Sequence, residues 1–200
     1  MARAKLIPEL KAAISDLTEK EKDKLIFRLL PKDQKLVHKL EYQLLEYSDT
    51  QEERRGDVRA KIMEAMERYP SYYYSPGYLL LTLRELSGKI TYHKDITSDK
   101  VGEIELNYLM LTEGLGRNIS SLRRSGYFSM KSLNEYVVKR VLKLQKLTAK
   151  LHEDYILEFE ESMISMGELL SEIPSMSNFI REHDLDVDSL LEGRLPDELL

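Results

Sequence analysis

The stretch Ser129–Gly167, SMKSLNEYVVKRVLKLQKLTAKLHEDYILEFEESMISMG, decides the fold of this chain. Leu133, Val137, Val141, Leu144, Leu147, Leu151, Tyr155, Phe159, Met163 and Met166 recur at steps of three and four, which is the period of one helix face. After Ser129 no glycine appears before Gly167 and no proline before Pro174. The spacing predicts one helix of about 40 residues, roughly 60 Å at the α-helical rise, or two helices with a bend near Lys150–His152.

Charge divides the same stretch. Residues 105–151 hold nine basic and three acidic side chains, whereas residues 152–200 hold two basic and fourteen acidic ones. In one straight helix this order opposes the macrodipole, which favours acids early and bases late. It predicts a surface of opposite sign against each half, either by folding back within the chain or by an antiparallel second copy in a two-fold contact. Exposed ion pairs stabilise little, so the competing reading is an acidic face that simply solvates the protein.

Working toward the N-terminus, short amphipathic segments follow one another. Leu6, Leu10, Ala13, Ile14 and Leu17 share a face. Thr18 and Glu21 have the spacing of a capping box, in which the hydroxyl takes a first-turn amide and the carboxylate reaches back to the Thr18 N–H. A second helix then buries Leu25, Ile26, Leu29 and Leu30 and ends near Pro31. Asp33 caps a third that carries Leu36, Val37, Leu40, Leu44 and Tyr47. Polar Ser48–Gly56 is read as a loop or a frayed helix entry, and a fourth helix from about Asp57 turns Val58, Ile62, Ala65, Met66 and Tyr69 inward. A fifth helix with Leu79, Leu80, Leu83 and Leu86 is expected to stop at Gly88, leaving KITYHKDITSD as a loop. A sixth, marked by Ile104, Tyr108, Leu109 and Leu111, closes at Gly114 and Gly116.

The segment Leu10–Leu45, LKAAISDLTEKEKDKLIFRLLPKDQKLVHKLEYQLL, resembles the opening of a family of uncharacterised bacterial helical proteins. Leu17, Thr18, Leu25, Ile26, Leu29, Val37, Leu40, Tyr42 and Leu44 carry the resemblance, over about a quarter of the chain. It implies an all-helical fold and transfers no catalytic residue.

Composition narrows the function. With no cysteine, a disulfide, a thiolate metal ligand and a cysteine nucleophile are all excluded. The apolar runs are far shorter than the roughly 20 residues that span a bilayer. The N-terminal residues lack a secretory pattern, so a cytoplasmic location is expected. His38, His93, His152 and His183 stand singly, without the helical pairing of a zinc protease or the Glu-x-x-His spacing of a di-iron bundle. Asp184, Asp186 and Asp188 begin like a calcium loop, but Ser189 and Leu195 stand where it needs glycine and glutamate. Gly114–Ser121, GLGRNISS, lacks the glycine pattern and the preceding strand of a phosphate-binding loop. No cofactor or metal site is read.

Tyr69–Tyr78, YPSYYYSPGY, concentrates five of the twelve tyrosines. Two prolines force a corner there, and the rings either pack it or line a groove. The absence of lysine and arginine from Ser71 to Thr82 argues against nucleic acid. The expectation is therefore an all-α fold: an array of short antiparallel helices followed by a long C-terminal helix or helical hairpin. It has one domain over 1–174 and a short helix with an acidic tail over 175–200. The expected role is a non-enzymatic protein-interaction or scaffolding module that meets a protein partner, or a second copy as a homodimer, through the long C-terminal helix. The alternative is a small-ligand or anion binder, or an enzyme, with a pocket formed by Tyr69, Tyr73, Tyr74 and Tyr78 and anchored by Arg117, Arg123 or Arg124.

Overall fold

The computed structural model describes residues 5–46, 50–68 and 75–199. Every regular element among them is helical, and none of these helices is long and apolar enough to cross a membrane. The chain divides at Ser48 into two compact units, Met1–Ser48 and Asp49–Leu200.

The first unit holds α1 (Pro8–Ser15), α2 (Glu19–Leu29) and α3 (Gln34–Glu41), with a 3-10 turn at Leu30–Lys32 and a π-helical turn at Tyr42–Glu46. Its helix starts follow local chemistry. Pro8 occupies the first turn of α1, where its missing N–H leaves no bond unmade. The Glu21 carboxylate accepts from the Thr18 backbone N–H at 2.9 Å and from the Thr18 hydroxyl at 2.7 Å. Asp33 Oδ1 accepts from the Leu36 N–H at 3.1 Å. Tyr42 alone is buried among the described residues of this unit.

The second unit contains α4 (Gln51–Glu67), α5 (Pro76–Thr97), α6 (Lys100–Gly116), α7 (Ile119–Leu122), α8 (Tyr127–Thr148), α9 (Glu153–Leu157), α10 (Glu160–Glu172), α11 (Ser177–Glu182) and α12 (Val187–Leu191). Helix α6 lies at its centre, packed by α4, α5, α8 and α10. Its sequence explains the position, because Ile104, Leu106, Tyr108, Met110, Leu111 and Leu115 bury apolar groups all round the helix rather than along one stripe. Gly114 is a packing residue inside α6, not a terminator. A Cβ there would meet Leu83 Cδ2 at 3.0 Å and Met66 Cε at 3.4 Å, so its absence lets three helices approach closely.

Helix α4 begins at Gln51, so of the two readings of the polar segment, loop or helix entry, residues 51–56 follow the second. Helix α5 does not stop at Gly88. It runs to Thr97 and ends on Ser98 at φ 60°, a left-handed cap adopted by a non-glycine residue. Ile90, His93 and Ile96 continue the buried face begun by Leu79, Leu83 and Leu86. Gly88 lies on the exposed side, with nothing within 4 Å of an added Cβ. A mid-helix glycine costs only about 1 kcal/mol, which this buried face outweighs.

The long apolar run divides into α8, α9 and α10. The chain leaves the helix at Ala149, and His152 is extended (φ −66°, ψ 150°). The seam is also interrupted, since Tyr155 is 46% exposed while Val137, Val141, Phe159 and Met163 are buried. Helix α8 packs on α5 and α6, whereas α10 packs on α6 and α12. No helix therefore spans Ser129–Gly167, and α5 and α8, at 22 residues each, have the same length. The C-terminal residues are not a loose acidic tail. Leu185, Leu190 and Leu195 belong to the core, and Asp186 caps α12 through Ser189.

Candidate functional site

Of the tyrosine corner, Tyr78 is described. It sits on the first turn of α5 and is 53% exposed. Tyr69, Tyr73 and Tyr74 lie outside the described residues, and the pocket expected there lies outside them too. The arginines proposed as anchors are differently engaged. Arg117 pairs with Glu113 at 2.6 Å one helical turn away. Arg123 pairs with Glu172 at 2.6 Å and also donates to the Glu172 backbone carbonyl. Arg124 is exposed. Two of the three are thus neutralised by carboxylates.

The Arg123–Glu172 contact joins the basic and acidic parts of the chain. Between 129–151 and 152–173, however, no ion pair forms among the described residues. Lys139 turns to Glu135, Lys143 to Glu103, and His152 to Asp154. The charge order is accommodated by local pairs and by contacts to α6.

The strongest polar cluster centres on Asp99, which sequence reading left inside a loop. Asp99 is the N-cap of α6, and its Oδ1 accepts from the Gly102 N–H at 2.8 Å. Arg55 of α4 donates to both carboxylate oxygens, Nε to Oδ2 at 2.9 Å and Nη2 to Oδ1 at 3.1 Å. His93 of α5 places Nε2 3.2 Å from Oδ2. Arg55 also reaches Glu105 at 3.2 Å, and Arg59 pairs with the same carboxylate. One buried carboxylate therefore ties together three helices. Burial alone would raise the Asp99 pKa, but the His93 ring, the Arg55 guanidinium and the Gly102 amide hold it well below the usual carboxylate range. A cap aspartate ahead of an apolar helical run was a legible signal here, whereas Arg55 and His93 carried none.

Beside this cluster lies a cleft of about 580 Å³ between α4 and α5, lined among others by Val58, Lys61, Lys89, Tyr92, His93 and Ile96. A carboxylate behind an imidazole is half of a hydrolytic relay. The other half, a hydroxyl bonded to the ring, does not occur among the described residues. The Thr97 hydroxyl donates to the His93 backbone carbonyl and the Thr91 hydroxyl to that of Ser87. The Asp99 oxygens are shared with Arg55 and Gly102, which suits a structural joint.

A second cleft, of about 560 Å³, lies between α5 and α8 and is bordered by Arg84, Tyr136, Lys139, Arg140 and Lys143. Arg140 is held by neutral groups. Its Nη2 donates to the Tyr136 hydroxyl at 3.1 Å and its Nη1 lies 3.5 Å from Asn107 Oδ1. The Tyr136 hydroxyl donates in turn to the Leu83 carbonyl at 3.3 Å, and the guanidinium carbon stands 5.2 Å from the Tyr136 ring centroid.

The third feature is the surface of the first unit. Ile7 (60% exposed), Phe27 (69%), Leu44 (64%) and Leu45 (74%) are large apolar side chains open to water. Leu29 and Leu36 are also exposed. Scattered exposed apolar residues are ordinary, but this unit exposes many of them and buries only Tyr42 among its described residues. No family model, curated protein or solved structure matches this chain.

Proposed function

We propose that the protein is a non-enzymatic interaction module that associates with a second copy of itself through the helices of its first unit. The observation that carries this reading is the contrast between that unit's regular amphipathic helices, two of them capped by side chains, and the exposure of their apolar residues. Burying Phe27 or Leu45 in an interface would contribute about 2 kcal/mol each. The seam on α8 and α10, the surface expected to associate, is filled by the chain's own α5, α6 and α12, which leaves the first unit as the better candidate. Residues 1–48 hold ten basic and eight acidic side chains, so a copy of this face meets no large like-charge repulsion.

Light scattering on the full chain tests the reading. The expected mass is twice 23.4 kDa, falling to the single-chain value in Phe27→Asp and in Leu45→Asp with unchanged far-ultraviolet circular dichroism. Both side chains are exposed within one chain, so these changes leave folding intact and remove association. A wild type that stays monomeric at high concentration overturns self-association, and a dimer indifferent to both substitutions overturns the first unit as its interface.

A further inference from the structure

The cleft between α5 and α8 gathers four cations and Glu135 along its border. We infer that Arg84 and Arg140 bind the phosphate of a small soluble phosphoester or diphosphate there, with Lys139 and Lys143 at its rim. This goes beyond the interaction role proposed above and is independent of it.

Charge balance is the first argument. Four cations border the cleft: Arg84, Lys139, Arg140 and Lys143. Two carboxylates answer them, Glu135 to Lys139 at 2.6 Å and the buried Glu103 to Lys143 at 3.0 Å. Both lysines are thereby satisfied, and both guanidiniums remain. Arg84 is exposed on α5 and has no ion pair among the described residues. Arg140 faces only the phenol of Tyr136 and the amide of Asn107, neither of which carries charge. Elsewhere in the second unit Arg55, Arg59, Arg68, Arg117, Arg123 and Arg194 contact carboxylates, whereas Arg181 meets only Asn178 and Arg124 is exposed; what sets Arg84 and Arg140 apart is that they border one cleft.

Preorganisation is the second argument. The hydroxyl of Tyr136 is anchored on the Leu83 carbonyl of α5 and receives the guanidinium of Arg140 on α8. Arg140 is thus already held, and ligand binding need not supply the entropy of ordering it. A planar guanidinium offers paired donors that match phosphate oxygens, which a lysine does not. The volume suits a small molecule and falls within the range of small-ligand sites. Two unneutralised guanidiniums from facing helices match a doubly charged oxyanion better than a monovalent carboxylate.

Calorimetric titration with pyrophosphate, at fixed ionic strength set by sodium chloride, is the test. Wild type is expected to bind one equivalent per chain, and acetate at the same concentration is expected not to bind. Arg84→Gln, at an exposed position that folding does not need, should weaken pyrophosphate at least about tenfold. Arg140→Lys, which keeps the charge and loses the fork, should weaken it as well, whereas Arg124→Gln, on an exposed arginine of another segment, should bind as wild type. Wild type failing to bind pyrophosphate, or Arg84→Gln binding it equally well, overturns the site. A final arm separates the sources of phosphate. Sedimentation with phosphatidylcholine vesicles containing phosphatidic acid should leave the protein in the supernatant, and vesicle binding lost in Arg84→Gln would overturn the assignment to a soluble ligand.

Discussion

Arg55 and Asp99, separated by 44 residues of chain, meet in a two-point contact in which Nε and Nη2 donate to the two carboxylate oxygens at 2.9 and 3.1 Å. The contact sits on the first turn of α6 and draws in His93, so one carboxylate serves as helix cap, ion-pair partner and histidine acceptor. Such a joint stabilises little relative to an apolar replacement, yet removing Arg55 would leave the buried Asp99 without its ionic partner.

Asp99→Ala removes the cap of α6 and the acceptor of the buried His93 while Arg55 keeps Glu105, so it should lower the stability of the second unit by about 2 kcal/mol, measured as the denaturant midpoint at neutral pH. A change below about 0.5 kcal/mol, the range of ordinary surface substitutions, would show that Arg55 and His93 find water or other partners instead.

The same carboxylate predicts an acid limb. Its folded pKa is depressed, so its contribution is complete above the ordinary aspartate value near pH 4 and is lost as pH falls below it through the depressed value. Unfolding free energy measured from pH 6 down to pH 2 should decline in wild type more steeply than in Asp99→Asn. Parallel curves would remove Asp99 from the linkage.

Two glycines should respond to alanine with opposite sign. At Gly102 an added Cβ would lie 2.1 Å from Asp99 Oδ2 and 2.6 Å from Arg55 Nε. Gly102→Ala thus displaces the ion pair from the helix start and destabilises, despite alanine's better helix propensity. Gly88 is exposed with open space around it, so Gly88→Ala should stabilise by about 1 kcal/mol. Thermal melts of the two variants decide it, and a stabilised Gly102→Ala would contradict the packing described.

Leu190 is wholly buried near the C-terminus. Leu190→Ala should cost about 3 kcal/mol, as a core leucine does. Full stability in that variant would return residues 184–199 to the status of an acidic tail.

In the first unit, Thr18→Ala removes the hydroxyl that donates to Glu21 at 2.7 Å. Faster amide exchange across residues 19–22, with exchange in α6 unchanged, is the expected outcome, since the substitution loosens the start of α2 alone. Uniform exchange in wild type and variant would mean that the Thr18 backbone contact to Glu21 suffices.

Sequence alone carried the all-helical class, the Thr18 and Asp33 helix starts, and a short helix after residue 174. These rest on bonds between residues three or four apart, and their chemistry is written in consecutive letters. It also carried the core faces of α4 and α8, since apolar period reports which side of a helix is buried. Period could not reveal the break at Ala149–His152, because the helices on either side of it both turn apolar residues toward α6. Nor could the glycine rule reveal that α5 passes through Gly88, since the cost of one glycine is smaller than the gain from Ile90 and Ile96 in the core. Only tertiary packing decided the boundary at Ser48, the joining of Arg55, His93 and Asp99, and the pairing of Arg84 with Arg140 across one cleft. Each of those depends on which helices lie side by side. Contacts across 33 to 53 residues, such as Arg140 to Asn107 and Tyr136 to Leu83, arise from the shape of the filled core and leave no mark in local spacing.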